Sequence, residues 1–291
     1  MIERWVLVGV IVAALTVVVL AGNLTNRPGE TGQFTVAATI FPLADMVKNI
    51  AGEEAKVVQV VPAGASEHSY SLTPRQVAEV QGAKVIFIIG HGMDDAIAAA
   101  VAKASGAQVV TVDEGIERRE FAGGGVDPHY WLTVPNAKKM AATVAARLQQ
   151  VDPDRAGQYE GNLAVYLERL DSLEAELQAV AGGIEQRNFI AMHDAWSYFA
   201  EQYGLNLVAT YEPVEGKQPS VADLKRLGEL VSDHGITVFY AEPQKSSVAA
   251  TRFLGDEFGL QIRELDPVGG AGVINSYIEL MLYNMRTLAA N

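Results

Sequence analysis

"PDRAGQYEGNLAVYLERLDSLEAELQAVAGG", Pro153 to Gly183, decides the fold. Apolar side chains recur at Leu163, Tyr166, Leu167, Leu170, Leu173 and Leu177, the spacing of one helix face. Pro153 opens the pattern and Gly182-Gly183 stops it. At 1.5 Å rise per residue the run spans on the order of 40 Å, longer than an ordinary globular helix. A helix of that length predicts a strut between two bodies.

Both flanks read as such bodies. Upstream, "FTVAATIF", "AKVVQVVP", "KVIFIIG" and "QVVTVDEG" are strand-like runs. Between them lie helical patterns: "PLADMVKNIAG", stopped by Gly52; "TPRQVAEVQGA", with Thr73 as N-cap and Pro74 at the first helical position; and "DDAIAAAVAKASG". Downstream the alternation resumes through "NFIAMH", "DAWSYFAEQYGL", "NLVATYEP", "SVADLKRLGELVSDHGI", "TVFYAEP", "SSVAATRFLGDEFGL" and "QIRELDP", with a final helix from about Val273. Strands alternating with helices predict parallel sheets covered by helices. The expected fold is α/β, in two lobes joined by one long linker helix. Each lobe is a parallel sheet flanked by helices. The N-terminal lobe spans 34–151, the linker helix 152–182 and the C-terminal lobe 183–291. The architecture repeats, but no close sequence repeat accompanies it.

The chain begins "MIERWVLVGVIVAALTVVVLAGN", uncharged from Trp5 to Ala21, followed by a polar "NRPGETGQ" linker. This reads as a signal peptide or an N-terminal membrane anchor over residues 1–22. Either predicts an extracytoplasmic protein, periplasmic or at the cell surface. There are no cysteines among the 291 residues, hence no disulfide, thiolate metal site, cysteine nucleophile or lipobox. The formal charge is −13 and the pI about 4.8. Nucleic acid is not an expected partner: "KRLGEL" and "ERRE" are small mixed clusters and no basic face is evident.

In parallel sheets, ligands bind outside the carboxyl ends of strands. Only five histidines occur. His68 follows the "KVVQVVP" strand, His129 lies beyond "QVVTVDEG" in "DPHYWL", and His193 ends "NFIAMH"; Asp266 ends "QIRELDP". Two belong to each lobe, so an interlobe cleft would collect all four. Three imidazoles and a carboxylate suit four-coordinate zinc, and a carboxylate oxygen also admits manganese. The pattern alone leaves a second reading open, in which each residue is a strand-end cap or loop hydrogen-bonding group. His91 reads as a loop residue and His234 as a helix C-terminal cap. Asp113 and Glu114 also end a strand without a partner pattern.

At "GASEHSYSLTPRQV", "DPHYWL", "HDAWSYFAEQYGL", "AEPQ" and "ELDP" the chain resembles the zinc/manganese solute-binding proteins of ABC importers, from Thr35 to the C-terminus. The resemblance implies a divalent cation, Zn²⁺ ahead of Mn²⁺, bound between two lobes for delivery to an ABC permease in the membrane. Motif by motif, it implies His68, His129, His193 and Asp266 as ligands. It also implies a monomeric binding protein, not an enzyme. The chain departs from the pattern at Glu67, where Asp is common, and at Thr133-Val134, where Asp-Pro is usual. The long histidine-rich loop of many zinc members is replaced by "GIERREFAGGG". Two rival functions are a zinc hydrolase with Glu67 as general base, and a metal-stabilised surface adhesin. No H-E-x-x-H motif supports the hydrolase.

Overall fold

Short runs rich in Val, Ile and Phe form most of the strands, and helices alternate with them along the chain. The computed structural model describes residues 34–66, 68, 70–121, 123–212, 219–244, 248–270, 272 and 274–291. The expected signal peptide or anchor over 1–22 lies outside them. Among the described residues, no helix is long and apolar enough to cross a membrane.

The first sheet contains β1 (Phe34–Ala38), β2 (Ala55–Gln59), β3 (Ala83–Ile88) and β4 (Gln108–Thr111), in the order β2-β1-β3-β4. Helices α1 (Phe41–Ala51), α2 (Pro74–Glu79) and α3 (Asp95–Ser105) connect them. Helix α4 (Val134–Val151) follows the sheet and leads through a short 3-10 turn to α5 (Ala156–Gly182). The second sheet contains β5 (Asn188–His193), β6 (Asn206–Glu212), β7 (Val238–Ala241) and β8 (Gln261–Glu264), in the order β6-β5-β7-β8. Its helices are α6 (Ser197–Tyr203), α7 (Val221–Asp233) and α8 (Val248–Phe258), and α9 (Tyr277–Ala289) ends the chain. All strand pairs within both sheets are parallel. The two sheets therefore repeat one topology, with a switch point between β1 and β3 and another between β5 and β7.

Local signals act as read. Thr73 caps α2 in a reciprocal capping box with Gln76, and Pro74 sits in its first turn. Gly52, at φ 62, ends α1. Thr133 caps α4 by accepting from Asn136 N, so the departure from Asp-Pro still supplies a capping oxygen.

Helix α5 is 27 residues long and is more than a strut. It buries Tyr159, Tyr166, Leu170, Leu173, Leu177 and Ala181. It packs against α1 and α4 of the first lobe and α6 and α9 of the second. One hydrophobic core consequently runs through both lobes, from Val36 and Leu43 through Trp131 and Leu170 to Phe199 and Met281. A smaller core with Phe239, Leu227 and Leu254 fills the far side of the second sheet. The lobes are also stitched by polar contacts. The Tyr277 amide donates to Asp45 of α1, the Tyr277 hydroxyl to Trp131 O, and the Trp131 indole to Pro267 O. Gly270, at φ 79, lies so close to Phe41 that a Cβ there would stand 2.7 Å from the ring. A shared core and these ties oppose a wide hinge motion.

At the first switch point the Asp94 carboxylate has no exposure. It accepts from the Thr39 hydroxyl at 2.5 Å and from the amides of Ile89 and Gly90. Burial holds this carboxyl above the ordinary carboxylate range, against the pull of those donors. Asp94→Ala strands two amides and a hydroxyl, and is expected to cost about 2–5 kcal/mol. Breaking the exposed Arg75–Glu79 pair by Arg75→Ala should cost less than about 1 kcal/mol. Urea unfolding of the two variants checks this: a midpoint for Asp94→Ala no lower than for Arg75→Ala would refute it.

Candidate metal centre

His193 is the last residue of β5, so its side chain leaves the sheet at the second switch point. His129 precedes a 3-10 turn, Tyr130–Leu132, whose three side chains are all buried. That turn is pinned by the Tyr130 hydroxyl donating to Ile89 O and by Asn136 Nδ2 donating to Tyr130 O. Burial keeps the Tyr130 hydroxyl protonated by raising it far above the ordinary phenol range. The loop after β2 carries His68. Gln76 holds that loop: its Oε1 accepts from the Tyr70 hydroxyl and the Thr73 amide, and its Nε2 donates to Val60 O.

These three elements bring three imidazoles together. One ligand atom from each of His68, His129 and His193 lies within 4.8 Å of the others. His129 and His193 are almost fully buried, whereas His68 is half-buried. The Nε2 atoms of His129 and His193 face each other at 3.3 Å. Two imidazole nitrogens on one tetrahedral zinc, each about 2.0–2.1 Å from it, stand about 3.3 Å apart. The opposite nitrogens meet carboxylates: His129 Nδ1 lies 2.8 Å from Asp127 Oδ1, and His193 Nδ1 lies 2.5 Å from Glu242 Oε1. An ionised carboxylate only accepts, so a carboxylate at Nδ1 favours the tautomer that leaves Nε2 available to a metal. The donor set therefore fits a divalent metal.

Asp266 stands outside the three-imidazole group. It is buried, one residue before Pro267, whose carbonyl accepts from the Trp131 indole beside His129. Asn284 of α9 brackets its backbone, accepting from Asp266 N and donating to Asp266 O. Asp266 Oδ1 accepts from Gln244 Nε2 and from the amides of Val268 and Gly269. Glu67 lies outside the described residues. Asp127 of "DPHYWL" is expected to fix the loop that holds His129, and it does so by accepting from His129 N as well as facing its ring. Glu242 was not singled out from sequence, although "AEPQ" contains it, and only the tertiary contacts reveal what it faces.

A cavity of about 490 Å³ opens onto the cluster. Four of the five histidines line it, His91 being the fourth, together with Phe121, Met93, Asp194 and Glu212. His91 holds φ 58, the single positive value among described non-glycine residues, and its Nε2 lies 3.0 Å from Asp113 Oδ2. Arg118 donates to the same oxygen, so Asp113 belongs to an ion-pair network behind His91. His234 occupies the C-cap position of α7, as its sequence context predicts.

Two parallel-sheet lobes joined by a long helix, with imidazoles from both lobes converging on one cavity, define a two-lobed solute-binding protein. A family model described as the periplasmic component A of the zinc-uptake complex matches residues 36–291, and the chain belongs to that family. Manganese-binding lipoprotein MntA of Halalkalibacterium halodurans is 29% identical over 274 residues, covering 91% of this chain and 90% of its own. High-affinity zinc uptake system protein ZnuA of Bacillus subtilis is 26% identical over 313 residues, covering 99% and 98%. A crystal structure of ZnuA superposes with a TM-score of 0.80 at 28% identity, over 88% of this chain and 98% of that one. A manganese-bound periplasmic metal-binding protein from Candidatus Liberibacter asiaticus, 20% identical, shares the fold with a TM-score of 0.78 over 89% of this chain and 99% of its own. Family membership makes the chain a transport binding protein and not an enzyme.

The Gln76 anchor yields a test. Gln76→Ala removes the capping box and the tie to Val60, with an expected stability loss of about 1–2 kcal/mol. Hydrogen exchange should accelerate in residues 62–66 and 70–73. Unchanged exchange in that loop would show that Gln76 does not hold it.

Proposed function

We propose that the protein captures a divalent cation outside the cytoplasm and delivers it to the membrane permease of an ABC importer. The cargo is Zn²⁺, held by His68, His129, His193 and Asp266. The observation that carries this reading is the 3.3 Å approach of two inward Nε2 atoms, each backed by a carboxylate on Nδ1. Three neutral imidazoles favour zinc. Three donors already occupy Asp266 Oδ1, so we assign the metal to Oδ2. A shift of the Asp266 loop then brings the fourth ligand in.

Mn²⁺ is the second reading, favoured by the similarity to MntA and by the hard carboxylate oxygen. Residues 1–22 act as a signal peptide or an uncleaved anchor, and the mature protein works as a monomer. The lobes 34–151 and 183–291 are the two jaws and the helix over 152–182 is their spine. With four protein ligands no position remains for an activated water, which sets the reading apart from a hydrolase using Glu67. An adhesin with a structural metal is set apart by release, since a carrier must give its ion up.

Elemental analysis of the purified full chain, followed by competition titration with zinc and manganese, tests the assignment. Alanine at His68, His129 or His193 should weaken zinc binding at least 100-fold, and Asp266→Ala at least tenfold, whereas His234→Ala should leave it within twofold. Protons compete for the same nitrogen lone pairs, so wild-type affinity should fall steadily between pH 7.5 and pH 5. Wild-type affinity in His129→Ala and His193→Ala, or a flat pH profile, would end the three-imidazole reading.

A further inference from the structure

We propose that Tyr198 is a positioning residue that sets specificity: its hydroxyl fixes the spacing between the imidazoles of the two lobes and so favours Zn²⁺ over larger dications. The inference rests on the reading that the histidine cluster holds the cargo cation. Tyr198 belongs to the second lobe, in the first turn of α6, shortly after His193. Its side chain reaches across to the first lobe. The hydroxyl accepts from Arg119 N at 2.8 Å and donates to Glu117 O at 3.4 Å. The Arg119 guanidinium lies over the Tyr198 ring, 5.7 Å from its centre, and pairs with Glu201 further along α6. Burial raises the Tyr198 hydroxyl above the ordinary phenol range, so it stays a neutral donor and acceptor.

Arg119 is tied in turn to the residues that hold His129. Arg119 O accepts from Asp127 N at 2.9 Å, Phe121 N donates to Gly125 O, and Glu120 bridges Val126 in antiparallel fashion. Asp127 Oδ1 accepts from His129 N and faces His129 Nδ1. The Arg119 backbone is therefore held from both sides. Its N–H is fixed by the second lobe, and its C=O by the residue that fixes the first lobe's buried imidazole. On the other side, Ala195 and Trp196 have no exposure and anchor the chain between His193 and Tyr198. One short path of bonded contacts thus runs from His193 through Tyr198 and Arg119 to Asp127 and His129. The ties through Tyr277 and Trp131 join the lobes on the Asp266 side instead. Tyr198 lines a different cavity, of about 360 Å³, with Arg119, Thr133 and Lys139. It acts on the ion through spacing and not through contact.

Imidazole ligands are shared by many dications, so selection among them falls on how far apart the protein holds the nitrogens and how stiffly. The Nε2 atoms of His129 and His193 stand 3.3 Å apart, the separation of two Zn–N bonds at a tetrahedral angle. Mn²⁺ and Cd²⁺ are larger, form longer bonds and need a wider pair. A stiff interlobe clamp penalises that widening, and a slack one does not. Tyr198→Phe keeps the ring beneath Arg119 and deletes only the hydroxyl, which leaves Arg119 N–H without its interlobe acceptor.

Competition titration of the full chain with zinc chloride and with cadmium chloride reads the spacing. Both ions have filled d shells, and the chain has no cysteine to favour the softer one. Tyr198→Phe should lose about tenfold in zinc affinity while cadmium affinity stays within about twofold, so the zinc-to-cadmium ratio falls. Tyr203→Phe is the control: it deletes a hydroxyl on the same helix that donates to Glu174 of α5, and it should leave the ratio as in wild type. A wild-type ratio in Tyr198→Phe, whether both affinities fall together or neither moves, would overturn the proposal. An equal fall of the ratio in Tyr203→Phe would also overturn it, because the general stability of α6 would then be responsible. So would failure of Tyr198→Phe to fold, since the hydroxyl would then serve the fold. His193→Ala measured in parallel separates this from the broader reading. If His193→Ala binds zinc like wild type, the metal centre itself is misassigned. If His193→Ala loses zinc and Tyr198→Phe keeps the wild-type ratio, the centre stands and Tyr198 plays no part in selection.

Discussion

Two imidazole nitrogens, Nε2 of His129 and Nε2 of His193, held 3.3 Å apart form the constraint on which the rest of the site depends. The fold forces them together by fastening each ring from behind with a buried carboxylate. Holding those rings and carboxylates away from water requires a rigid surround on both sides of the cleft. The residues that are polar and buried are accordingly concentrated here: Asp127, His129, His193, Glu242, Asp266 and Asn284 are among the few buried polar side chains described.

That surround comes from elements distant in sequence. Trp131 lies beside His129, and its indole donates to Pro267 O, next to Asp266. Tyr277, buried at the start of α9, donates to Trp131 O while its amide donates to Asp45 in the first lobe. Asn284, further along α9, clamps the Asp266 backbone. The last helix of the chain thereby links the histidine of one lobe to the carboxylate of the other. With α5 sharing its core with both lobes, wide separation of the lobes is opposed.

Much of this was legible beforehand because it rests on local chemistry. Helix spacing in Leu163–Leu177, the capping role of Thr73, the stop at Gly52 and the strand-end placement of His193 follow from propensity and periodicity. The convergence of His68, His129 and His193 was inferred from strand ends, because parallel sheets collect such residues at one edge. The partners of those histidines could not be read in the same way. Nothing in "AEPQ" states that its glutamate meets an imidazole 49 residues earlier, since that contact depends on β5 and β7 being neighbours.

The sequence by itself determined the class of fold, the long helix and the residue types able to hold a cation, because each depends on interactions within a few turns of chain. The tertiary structure alone decided that α5 is part of one continuous core, that Asp127 and Glu242 stand behind two of the imidazoles, and that Asp266 is held by Asn284 and its own loop. These depend on sheet order and on which faces the lobes share. Local sequence carries no direct record of either, because the free energy that selects them is spread over contacts between residues far apart in the chain.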